Sequence, residues 1–108
     1  RYEFNAYIRE DAADILQPDI CRVGGITEMI KIVTLGQVNG KPIAPHHMME
    51  SSIQVACGVM ESGPIEYMPW VSAAFSEDVI IKNGMMYPPQ KPGLGLEISD
   101  ETIEKYRI

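Results

Sequence analysis

Apolar, strand-like runs alternate along this chain with helical segments, and each run ends on an acid or a base: Asp19, His46 and Glu66. Such alternation implies a parallel sheet with right-handed helical crossovers. Successive strands then point the same way, and their polar ends gather at one rim. Ligands and catalytic groups of α/β folds collect there. The pattern predicts a rim site with acid/base chemistry.

The elements follow from periodicity and punctuation. Phe4, Tyr7, Ile8 and Ala12 share one helical face over residues 3–13. Residues 14–19 read as a short strand ending at the turn marked by Pro18, and Val23-Gly24-Gly25 as the loop that follows. A helix is predicted over 26–39 with Ile26, Met29, Ile30, Val33 and Val38 as its apolar positions, stopped by Asn39-Gly40 and Pro42. Gly36 costs that helix about 1 kcal/mol relative to alanine. Residues 42–46 form the next strand. The helix over 49–61 carries a predicted buried stripe of Met49, Ile53, Ala56, Cys57 and Met60 before Ser62-Gly63-Pro64 breaks it. Ile65-Glu66-Tyr67 is the third short strand. By pattern alone the sheet is either part of a barrel or an open doubly wound sheet, and the short loops suit the barrel. Beyond Trp70 the character changes: Asn83-Gly84 between Val79–Lys82 and Met85–Tyr87 signals a type I′ hairpin, and Ser99 can cap a last short helix.

At 108 residues the chain is one domain or a piece of one, and its start at Arg1 hints that this is not a natural N-terminus. A formal charge of −6 argues against nucleic acid or an anionic membrane as partner. The longest apolar runs are too short for a bilayer. Cys21 and Cys57 lack metal-ligand spacing, and two cysteines make no disulfide framework, so a reduced, cytoplasmic setting is expected.

Side-chain parity sorts the strand ends. Ile15, Gln17 and Asp19 share one face and Leu16 the other; Pro42, Ala44 and His46 share a face, leaving Ile43 to pack under the helices. His47 is then predicted to point away from His46, which speaks against the pair gripping one metal. Neighbouring strands lie about 4.8 Å apart, so an Asp19–His46 hydrogen bond is within reach. The carboxylate would fix the imidazole tautomer and make a general base, worth about 10²–10⁴ in rate. Glu66, one strand further on, could donate a proton or a hydrogen bond from the other side of a substrate. Taken singly, Asp19 reads equally as a loop cap, a lone His46 is more often structural, and a lone Glu66 is most often a solvated acid. Their coincidence at the run ends is what points to a site. Arg22 and His47 are the candidate substrate-binding residues, Arg22 reading equally as one arm of a surface salt bridge.

The motifs also carry a resemblance. Asp14-Ile15-Leu16-Gln17-Pro18-Asp19 running into Arg22-Val23-Gly24-Gly25-Ile26-Thr27-Glu28 resembles the sixth strand and following helix of the mandelate racemase subgroup of the enolase superfamily. Pro42-Ile43-Ala44-Pro45-His46 is similar to its seventh strand, Gly63-Pro64-Ile65-Glu66-Tyr67 to its eighth, and the tail from Asn83 through Glu97 to the segment returning to its capping domain. The resemblance implies an α/β fold, the C-terminal part of a (β/α)₈ barrel over residues 1–75, with residues 76–108 as a hairpin and tail packing toward a capping domain absent from the chain. It implies Asp19 and His46 as the dyad acting at the carbon beside a substrate carboxylate, and Glu66 as the acid that hydrogen-bonds the carboxylate oxygen as an enediolate forms. Aspartate rather than lysine at position 19 points to the racemase and acid-sugar dehydratase branch. The expected activity of the intact protein is an Mg²⁺-dependent dehydratase eliminating a β-hydroxyl, with a racemase or epimerase, or a non-catalytic half-barrel, as alternatives. Mg²⁺ ligands and a second base are expected upstream of this chain, no metal ligand is assigned within it, and 108 residues alone are expected to be inactive. A homo-oligomer is expected of the complete protein.

Overall fold

The computed structural model describes residues 1–61 and 63–108; the predicted helix breaker at Ser62 lies outside the described residues. Helices α1 (Tyr2–Arg9), α2 (Ile26–Val38) and α3 (Met49–Val59) lead to a 3-10 turn at Ser72–Ala74, a hairpin of β1 (Ile80–Lys82) and β2 (Met85–Tyr87), and α4 (Asp100–Tyr106).

The predicted strands at 14–19 and 42–46 run parallel, paired as isolated bridges Leu16–Ile43 and Asp19–His46. Proline chemistry explains why they are bridges and not a continuous ladder. The Leu16 N–H donates to Pro42 O, Ala44 N–H to Leu16 O and His46 N–H to Pro18 O. The missing rung in that series would need an N–H from Pro18, which has none. The third run joins through the Glu66 N–H to Pro45 O at 3.4 Å. Pro45 and Pro64 again remove rungs of the parallel series. The run at 63–66 comes so close to its neighbour that a Cβ on Gly63 would lie 2.7 Å from Ile43 O.

The parity reading holds for the inward and outward residues of the first two runs. Leu16 and Ile43 are buried against the helices with Ile20, Met29, Val33 and Val55, while Ile15 on the opposite face is 53% exposed. Phe4 and Ile8 of α1 pack against that core, but Ala12 lies beyond the helix and is exposed. On α2 the buried positions are Met29, Ile32, Val33 and Gly36, whereas Ile26 and Val38 at its ends are exposed. Of the predicted stripe Met29 and Val33 are buried and Ile30 is partly so, while the fully buried Ile32 was not in it, so periodicity names the face only roughly.

The α3 stripe is also corrected. Met49 and Ile53 are buried, but Cys57 is exposed, and the buried face includes Glu50, Ser51, Ser52 and Val55. The C-terminal half of α3 instead faces an open groove of about 760 Å³, shared with Ile65, Met85 and Met86. The hairpin stands off from α3 and does not close over Cys57. Its turn is as predicted, with φ of 53° at Asn83 and 73° at Gly84. The tail folds back on the body: Phe75 bridges Ile98, and the Gln54 amide donates to Pro89 O and Leu94 O. Ser99 accepts from the Thr102 N–H as the α4 cap. Among the described residues no helix is long and apolar enough to cross a membrane.

Candidate active site

Asp19 and His46 meet because the parallel bridge aligns their backbones. The Asp19 Oδ2 lies 3.0 Å from His46 Nδ1. The other oxygen, Oδ1, accepts from the backbone N–H groups of Cys21 at 2.8 Å and Arg22 at 3.3 Å. The carboxyl is thus held as an acceptor on both oxygens. Burial pushes it up, but the hydrogen bonds from His46, Cys21 and Arg22 together outweigh that and hold it below the ordinary value of 3.8. An ionised carboxylate can only accept, so the neutral imidazole carries its proton on Nδ1 and presents the Nε2 lone pair outward. Asp19 is nearly enclosed, with its side chain 11% exposed, while His46 at 40% remains open to a ligand.

Glu66 stands on the other side of the imidazole, its Oε2 3.9 Å from His46 Nε2. That is beyond hydrogen-bonding distance, so Nε2 is left free for a substrate. The same Oε2 accepts from the His47 N–H at 2.7 Å. His47 corrects the parity expectation: its ring lies beside that of His46, with centroids 5.9 Å apart. His47 and Met48 have φ of 50° and 41°, so the extended backbone has ended and strand alternation no longer governs where the side chain goes. The ring packs edge-on against Trp70 at 5.5 Å. Sequence reasoning passed over Trp70, and its place four residues beyond Glu66 was the available signal. Arg22 is 85% exposed with its Nε 3.7 Å from Asp19 Oδ2, so its charge sits at the rim beside the dyad.

The donors present do not suit Mg²⁺. Among the described residues no group of three His, Cys, Asp or Glu could hold a metal ion. Both Asp19 oxygens and Glu66 Oε2 are already engaged by protein N–H groups, whereas Mg²⁺ demands oxygen ligands in near-octahedral array.

The parallel bridges and the contacts between them bring Asp19, His46 and Glu66 together at one rim, the end at which α/β folds gather their ligands. The model of the enolase C-terminal domain-like family matches residues 1–102. The chain belongs to that family, on its mandelate racemase side, and its architecture is part of a (β/α)₈ barrel. It is 32% identical to arabinonate dehydratase of Saccharolobus solfataricus, across 99% of this chain and 31% of that protein. Among solved structures it superposes on L-talarate dehydratase of a Polaromonas species, crystallised with Mg and L-glucarate, at a TM-score of 0.89 and 38% identity, covering 95% of this chain and 29% of that one. A mandelate racemase/muconate lactonizing enzyme of the same genus gives 0.88 and 38%, over 95% of this chain and 28% of that one. The chain spans less than a third of the length of these relatives.

Proposed function

We propose that residues 1–108 supply strands six to eight, with the return segment at 76–108, of an acid-sugar dehydratase in which Asp19, His46 and Glu66 carry the proton chemistry. The observation that carries this reading is the Asp19 Oδ2–His46 Nδ1 hydrogen bond of 3.0 Å, with Nε2 left free 3.9 Å from Glu66. Mg²⁺, seen with the Polaromonas relative, is inferred for the whole protein, held by residues outside 1–108; it would stabilise negative charge on the substrate carboxylate.

His46 Nε2 accepts the proton from the carbon beside the substrate carboxylate, and Asp19 stabilises the imidazolium that forms. The electron pair of the broken C–H bond moves into the carboxylate, giving an enediolate. Glu66, when protonated, hydrogen-bonds the oxygen on which that charge develops. Reformation of the carboxylate expels the β-hydroxyl, which takes the proton held at His46 and leaves as water. The resulting enol tautomerises to a 2-keto-3-deoxy acid. Arg22 and His47, at the rim, are proposed to contact the rest of the acid sugar.

The test is His46→Asn in the full gene product containing these residues, assayed with a panel of aldonates and aldarates in D₂O with Mg²⁺. Exchange of the α-proton and formation of the 2-keto acid should both fall about 10²–10⁴-fold while the circular dichroism and thermal midpoint hold. Retained exchange, or a loss that only follows the fraction unfolded, refutes the assignment. A wild-type product that inverts the α-carbon without losing water would make the enzyme a racemase.

A further inference from the structure

Glu50 is the second residue of α3 and is fully buried, with no exposed surface. One oxygen, Oε1, accepts from the Ser72 hydroxyl at 2.6 Å; the other, Oε2, is buried and has no hydrogen-bond partner among the described residues. On the protein surface a carboxylate in the first turn of a helix gains from the dipole without losing water. Enclosed, it gives up its water, and an apolar side chain of similar volume would commonly be as stable or more so. Stability is therefore a poor account of a half-satisfied buried carboxylate here.

Its place between the two site loops offers a better one. His46 is followed at once by the left-handed pair His47–Met48 and then by α3. The first turn of α3 grips that pair, through the Ser52 N–H to Met48 O at 2.9 Å and the Ser52 hydroxyl to His47 O at 3.4 Å. Ser72 opens the 3-10 turn that follows Glu66, and Trp70 between them rests on the His47 ring. The Glu50–Ser72 hydrogen bond thus joins the segment after Glu66 to the helix after His46. Nearer the site, the same two segments are joined by the His47 N–H to Glu66 Oε2.

We infer that Glu50 is a positioning residue: through Ser72 it holds the segment after Glu66 against α3 and so sets the gap between Glu66 and His46 Nε2. This rests on the acid/base reading of those two residues. The task needs an acceptor within reach of the Ser72 hydroxyl, and Glu50 Oε1 supplies one at 2.6 Å. Small displacements of an acid from its working place cost much in rate, and the loss falls on kcat when the contact is made chiefly in the transition state.

The experiment compares Glu50→Met, Ser72→Ala, their combination and Glu50→Gln in the full gene product, using the aldonate or aldarate that the wild type turns over with the highest kcat/KM. Glu50→Met removes the acceptor at similar volume, and kcat should fall about tenfold or more with KM within about twofold. Its thermal midpoint should be unchanged or higher. Ser72→Ala should lose kcat by a similar factor, the double variant should lose no more than either single one, and Glu50→Gln, which keeps an acceptor, should recover most of the rate. Unchanged kcat in Glu50→Met or Ser72→Ala, or additive losses, overturns the inference, as does failure of both to fold, which would make the pair a stability element. A wild-type protein that exchanges no α-proton would instead overturn the acid/base reading itself.

Discussion

Gly36 sets how closely α2 approaches the strands that carry the dyad, and replacing it with alanine measures that approach. In an exposed helix the change would stabilise by about 1 kcal/mol. Here a Cβ would lie 2.5 Å from Ile43 Cδ1, 3.1 Å from Lys41 O and 3.3 Å from Leu16 Cδ1. Leu16 and Ile43 are only 1% and 3% exposed, so neither has open space to move into. The Lys41 backbone is itself tied, its N–H donating to Gly36 O at 2.9 Å. Overpacking of this kind costs about 1–3 kcal/mol, and displacing two buried neighbours belongs in the upper part of that range. The net expectation for Gly36→Ala is a loss of about 1–2 kcal/mol after the propensity gain is subtracted. Urea unfolding of the full gene product reads it as a lower midpoint at unchanged m value. A variant stabilised by the full propensity gain would show that helix and strands are not in close contact, and would refute the packing argument.

Asp19 gives a pH prediction. Its carboxyl is depressed in the folded state, so its contribution to stability is complete above the unfolded value of about 3.9 and is lost as pH falls through the lower folded value. Carbon-detected NMR should place the Asp19 transition below that of an unfolded reference, and Asp19→Asn should flatten the acid limb of the stability curve; a transition at or above the reference contradicts the hydrogen bonding described. Gly63→Ala should destabilise by about 1–3 kcal/mol, because its Cβ would meet the backbone oxygen of Ile43, which cannot rotate away. It should also push Glu66 outward and lower kcat, and a crystal structure with the Glu66 N–H still on Pro45 O would disprove that coupling.

Much of this molecule is local and was legible in the order of residues. The alternation of runs and helices, the inward parity of Leu16 and Ile43, the Asn83-Gly84 turn and the Ser99 cap each depend on neighbours a few positions away. The ending of two strand-like runs on Asp19 and His46 is local as well, but that these runs pair as neighbours, 27 residues apart, is a tertiary outcome. Periodicity also names the Met29 and Val33 side of α2, while only packing decides that Ile32 joins it and that Ile26 and Val38 are left exposed. What the tertiary structure alone decided involves partners far apart in the chain or backbone that has left its regular state. His47 lies beside His46 because two left-handed residues end the alternation. Cys57 is exposed because the hairpin stands away from α3. Glu50, which reads in sequence as an ordinary first-turn acid, is buried because Ser72, 22 residues later, folds back onto it. A periodic pattern states which side of an element is apolar; it carries no information about which distant segment will cover that side, and the hydrogen bonds that complete this site depend on that covering.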